Sequence, residues 1–120
     1  MTEKGYKGGL VSRVKNKYSG KRYIISTAQE IGKDYWTTVI LVAGFFGLFP
    51  KSFRPLLTWV RNTKEEAHKV HWEIKKIVTE EPEEEWIKLA PSPTPPNGYS
   101  EDAKRTFKKK LGFIPDEEDI

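Results

Sequence analysis

Tyr35–Pro50 reads Y-W-T-T-V-I-L-V-A-G-F-F-G-L-F-P, sixteen residues without a charge in a chain of 120 whose charged residues make up 32%. What solvent surrounds this stretch decides the fold. As a helix, residues 35–49 rise roughly 22 Å, against a bilayer hydrocarbon core of about 30 Å. Lys33 and Lys51 flank the run and can extend it by carrying their ammonium groups into the headgroup layer. Tyr35 and Trp36 stand at one edge, with Phe53 and Trp59 beyond the other, where interfacial aromatics belong. The alternative is a buried helix or strand pair of a small water-soluble protein, since a run of this length is ambiguous. Few other apolar residues are available to cover Val39, Ile40, Leu41, Val42, Phe45, Phe46, Leu48 and Phe49, which favours lipid. The expectation is therefore an all-α chain with one transmembrane helix over 35–50 and no independent globular core.

On such a helix Trp36, Ile40, Ala43 and Gly47 share one face, and the small pair Ala43 and Gly47 would let a neighbouring helix approach closely. No ionisable residue lies inside the run, so it offers no carrier for a proton or ion path.

The flanks differ in charge. Residues 1–34 form a basic arm of net charge +5, residues 51–80 carry +3, and residues 81–120 carry −4. A basic, acid-poor beginning suits an anionic membrane surface or a mitochondrial import signal. It lacks the stacking aromatics and compact motif of a nucleic-acid binder, so no nucleic-acid partner is expected. After the span, Leu56, Val60, Thr63, Ala67, Val70, Ile74 and Ile77 follow alternating steps of four and three. This spacing predicts one long amphipathic helix from Pro55 to Thr79 with a seam for a partner helix. Glu80–Glu85, Glu-Glu-Pro-Glu-Glu-Glu, ends it, and 81–100 reads as an acidic, Pro-rich extended linker. Ser100 then caps a short helix with Glu101 and Asp102 in its first turn and Lys108 to Lys110 in its last. Gly112 is its stop, and the tail to residue 120 is acidic. Such an arm reads either as a solvated surface segment or as a strap along basic surfaces of neighbouring subunits.

Chemistry is sparse. Cysteine is absent, which excludes disulfides, thiolate nucleophiles and cysteine-ligated metals. His68 and His71 are the two imidazoles, and Glu65-x-x-His68 has the form of half a di-iron motif whose other half this chain lacks. Both histidines read as satisfied surface or interface residues. No phosphate loop or serine–base arrangement is recognisable, so no catalytic residue, cofactor site or metal site is expected.

The stretch from Lys33 to Lys64 resembles the MNLL accessory subunit of mitochondrial NADH:ubiquinone oxidoreductase, respiratory complex I. The matching features are Asp34 and Trp36 opening the run, Gly44-Phe45 within it, a basic juncture, Leu57-Thr58 and Arg61-Asn62. The resemblance covers about a quarter of the chain. It implies a non-catalytic, single-pass subunit of the mitochondrial inner membrane that stabilises the membrane arm, with other subunits and the lipid bilayer as partners. It also implies an N-terminus in the matrix. Two other readings compete: a twin-arginine-type transport component, with its short span, hinge and amphipathic helix, and a membrane-anchored adaptor that holds a soluble partner on the Leu56–Ile77 helix.

Overall fold

A computed structural model describes residues 6–44, 50 and 54–115. It corrects the all-α expectation. Four strands, β1 (Tyr6–Lys15), β2 (Arg22–Glu30), β3 (Trp36–Val42) and β4 (Leu57–Arg61), form an antiparallel meander in chain order. A helix α1 (Lys64–Glu80) follows, then a 3-10 turn (Glu83–Glu85), a one-turn helix α2 (Trp86–Leu89) and α3 (Glu101–Leu111).

Within the uncharged stretch, Trp36–Val42 is a strand. Trp36, Thr38 and Ile40 are buried while Thr37, Val39 and Leu41 between them are half-buried, a period of two. Five of the seven residues of β3 are β-branched, which fits a pleated surface better than a helix. Among the described residues no helix is long and apolar enough to cross a membrane. The single-pass placement in an inner membrane is overturned with it. The inward side chains of β3 pack within the chain, because the basic arm supplies two strands and α1 covers the sheet, whereas Phe45, Phe46, Leu48 and Phe49 lie outside the described residues.

Register aligns four rows beneath α1. Val14, Tyr23 and Val42 form the first, and Ser12, Ile25, Ile40 and Leu57 the second. Leu10, Thr27, Thr38 and Trp59 form the third, and Gln29, Trp36 and Arg61 the fourth. The main core joins Tyr23, Ile25, Ile40 and Trp59 of the sheet to Val70, Ile74 and Val78 of α1, with Trp86 of α2 closing one end against Tyr23 at 5.0 Å between rings. On the opposite face Val60 packs with Tyr35 and Ala103, flanked by Tyr99 and Phe107.

The amphipathic helix is shorter than its spacing suggests. Thr63 is the N-cap, its hydroxyl accepting from the Glu66 amide at 3.2 Å, so the first half of the supposed seam is not helical. Leu56 is exposed ahead of β4 and Val60 lies within β4, whereas Ala67, Val70 and Ile74 face the sheet and Ile77 packs at the core margin. The seam's partner is thus this chain's own sheet. α3 begins and ends where its caps stand: Ser100 accepts from the Ala103 amide, and Gly112 closes the helix at φ +83°.

The C-terminal segment straps its own sheet. Residues 91–93 run along the outer edge of β4, where the Val60 amide donates to the Pro93 carbonyl at 3.0 Å and the Trp59 indole donates to the Pro91 carbonyl at 2.9 Å. Arg61, buried, donates to the carbonyls of Val60 and Ser92, both at 2.6 Å, and of Pro93 at 3.2 Å. Ser100 donates to Asp34 at 2.5 Å, and the Asp34 amide donates to Asp102 at 2.8 Å, so the start of α3 is pinned to the β2–β3 loop.

Candidate functional site

Two places concentrate polar chemistry: a buried chain of hydroxyls around His71, and the basic hairpin of β1 and β2.

His71 enters from α1 and is fully buried, with both ring nitrogens engaged. Its Nε2 lies 2.8 Å from the Ser12 hydroxyl on β1, and its Nδ1 lies 2.8 Å from the Thr27 hydroxyl on β2. Thr27 in turn lies 2.7 Å from the Thr38 hydroxyl on β3. A hydroxyl both donates and accepts, so the chain closes in either of two senses. Ser12 donates to Nε2, Nδ1–H to Thr27 and Thr27 to Thr38, or every donation reverses. Each sense satisfies the ring in its neutral form.

Burial is the main cause that pushes the His71 pKa down to about 4, with the charges of His68 and Lys75 adding to it. The Ser12–His71–Thr27 line has the outline of a nucleophile, base and orienting group. Its third member is a threonine, which cannot stabilise an imidazolium as a carboxylate does. An imidazole titrating near 4 is also a weak base at neutral pH. The arrangement therefore acts chemically as a polar clamp joining three strands and a helix. His68, the other imidazole, stands edge-on to Trp36 at 5.8 Å between rings. Among the described residues no three of His, Asp or Glu are grouped to hold a metal ion.

Of the residues expected to pack one helix face, Trp36 and Ile40 are together but on a strand, buried beneath α1. Ala43 forms an isolated bridge with Pro50, and Gly47 lies outside the described residues. Ser12, Thr27 and Thr38 escape the sequence reading altogether. Their signal is positional: each is a hydroxyl standing in phase with buried residues of its own strand, an arrangement that calls for a polar partner across the core.

The hairpin supplies charge of one sign. From Lys4 to Gln29 the sequence holds seven basic residues and no acidic one. Arg13 and Lys15 are exposed on the face of β1 away from α1, and Lys17, Tyr18, Lys21 and Arg22 are exposed around the turn. Asn16 shapes that turn. Its side-chain carbonyl accepts from the amides of Tyr18 and Ser19, both at 2.9 Å, while Gly20 takes a left-handed φ of 72°. Glu83 borders the hairpin from the 3-10 turn, 3.8 Å from the Lys21 ammonium. Its carboxyl is held below the usual range by hydrogen bonds from Ser19 and Tyr23 and by Lys21, and Tyr23, buried beside it, rises to about 12.

Compared with protein-family models, with curated proteins and with solved structures, the chain matches none.

Proposed function

We propose that this chain is a non-catalytic accessory subunit, a small sheet-and-helix module that works by holding an acidic protein partner on its β1–β2 hairpin. The observation that carries this reading is the uninterrupted positive charge of the hairpin, displayed on an exposed strand face and turn. A surface of one sign attracts and orients a partner of the other, and speeds their encounter. The buried imidazole supports a binding role because its neutral, doubly engaged ring stiffens the platform under the hairpin. An acidic protein suits the surface better than a nucleic acid, because Tyr18 is the single aromatic residue on the exposed turn and stacking on bases needs a series of them. A respiratory-chain assembly as the host is a finer form of the same proposal and rests on the resemblance across residues 33–64 alone.

The test is incorporation into a complex. The tagged chain, produced in its own cells, should run in native electrophoresis with a mass well above its own 13.9 kDa. The triple variant Lys15→Glu, Lys17→Glu, Lys21→Glu should run as the free chain with an unchanged circular dichroism spectrum. Migration of the unaltered chain as a monomer overturns the reading, and loss of the larger species on nuclease treatment replaces the protein partner with nucleic acid.

A further inference from the structure

The two edges of the sheet are finished differently. At β4 the outward amide of Val60 is taken by the Pro93 carbonyl, and Trp59 and Arg61 tie down residues 91–93 beside it. At β1 the sheet ends, and among the described residues no strand pairs with its outer side. Building on the proposal that the hairpin holds an acidic protein, we infer that β1 is the docking edge and that an extended acidic segment of the partner adds to it as a fifth strand.

The backbone defines what this edge offers. The Asn16 amide donates to the Lys21 carbonyl, so it points toward β2. From Leu10 to Lys15 the register runs without a shift, and amide direction alternates along a strand. Leu10, Ser12 and Val14 therefore bond to β2, while the N–H and C=O groups of Val11, Arg13 and Lys15 point away from the sheet. These are the groups that an added strand uses. Side chains alternate as well. An incoming strand would place one set of residues beside Leu10, Ser12 and Val14, continuing the rows under α1. Its other set would stand beside Val11, Arg13 and Lys15, within cross-strand reach of the exposed Lys15 ammonium. A segment that alternates apolar and acidic residues fits both sides. Lysine and arginine on this edge oppose pairing with a second copy of the same strand, which is the usual effect of edge charges.

The probe is the synthetic peptide acetyl-Glu-Val-Glu-Val-Glu-Val-Glu-amide, added to the uniformly labelled 120-residue chain and followed by amide exchange and chemical shift. The docked peptide should slow exchange at Val11, Arg13 and Lys15, and a polyglutamate peptide of equal charge should not. Val11→Pro removes one outward N–H and leaves every charge, a change that edge strands accommodate. It should weaken peptide binding by about tenfold, the loss of roughly one main-chain hydrogen bond. Unchanged affinity in Val11→Pro overturns strand addition, as does binding without exchange protection at the three amides of the unaltered chain, a readout that does not depend on any variant. If Lys15→Glu, Lys17→Glu, Lys21→Glu still abolishes the larger native complex in that case, the charged hairpin keeps its role and only the docking mode falls. Failure of the peptide to bind at all also overturns the inference.

Discussion

The side chain of Asn16 donates to the carbonyl of Val78, 62 residues further along the chain, at 2.7 Å. Its second amide hydrogen goes to the Glu81 carbonyl at 2.8 Å. Together with the Lys17 amide, which donates to the Thr79 carbonyl at 2.8 Å, it ties the β1–β2 turn to the C-terminal end of α1. The helix end thereby finds donors for carbonyls that have no partner within α1.

Asn16 is therefore a joint whose loss is felt at two elements. Asn16→Ala removes the side-chain donor to the Val78 carbonyl and the acceptor of two turn amides, while the Glu81 carbonyl keeps the Trp86 indole at 3.1 Å, and should cost about 2–4 kcal/mol. Asn16→Asp should be worse, because a carboxylate would face carbonyls that already carry negative partial charge. Chemical denaturation of the two variants ranks them, and equal stability with the unaltered chain would remove Asn16 from this role.

Arg61 governs the opposite edge. Burial holds its guanidinium below its ordinary pKa against the opposing charges of Glu66 and Glu73, and it donates to the neutral carbonyls of residues 60, 92 and 93. The planar fork reaches these oxygens together, and an ammonium cannot. Arg61→Lys should destabilise the chain by about 2–3 kcal/mol. It should also release residues 91–93 from β4, seen as faster hydrogen exchange at the Val60 amide, which donates to Pro93.

How far the residues disclose this fold depends on which period is applied to them. The caps of α3 are legible because Ser100, Glu101, Asp102 and Gly112 each act locally. The face of α1 is legible for the same reason, since Ala67, Val70 and Ile74 follow helical spacing. The strands are not legible to a reading that counts uncharged residues. Length and charge make residues 35–50 look like a span, whereas the alternation of Trp36, Thr38 and Ile40 with their neighbours marks a strand. In β1 the alternation of Leu10, Ser12 and Val14 with Val11, Arg13 and Lys15 is masked by the charge, so the basic character of the arm conceals its pleat. The polar clamp is the hardest to foresee, because Ser12, Thr27, Thr38 and His71 come from four elements and only the register of the sheet brings them together. By contrast, the charge of the hairpin is visible in the bare residue order.

Gly9 tests the register near the start of β1. It lies where the pairing with β2 shifts between Lys7 and Leu10, and a Cβ placed on it would stand 2.9 Å from the Thr27 carbonyl oxygen. The obstacle is backbone, so it cannot rotate away. Gly9→Ala should cost about 1–3 kcal/mol and speed exchange of the amides that pair Leu10 with Thr27. An unchanged exchange rate there would show that the bulge absorbs a methyl group.

His71 sets a pH limit on stability. Its pKa is about 4 in the folded chain and 6.5 as a free side chain, so the unfolded chain binds the proton more readily between those values. Its contribution is fully present above pH 6.5 and is lost progressively as the pH falls toward 4, below which both states are protonated. The loss amounts to about 3 kcal/mol at its limit, from 1.36 kcal/mol per unit. Carboxylates titrate near the lower end of this window, so the quantity to measure is the difference between the unaltered chain and His71→Gln. Urea unfolding at pH 7.0, 5.5 and 4.5 should show the unaltered chain well ahead at neutral pH, with the gap closing on acidification. Thr27→Val should narrow the gap at neutral pH, because it removes the hydroxyl shared by His71 and Thr38 while keeping the shape of the side chain. A difference independent of pH would mean that the ring is hydrated and exchanges protons freely, and the clamp joining β1, β2 and β3 to α1 would then have no basis.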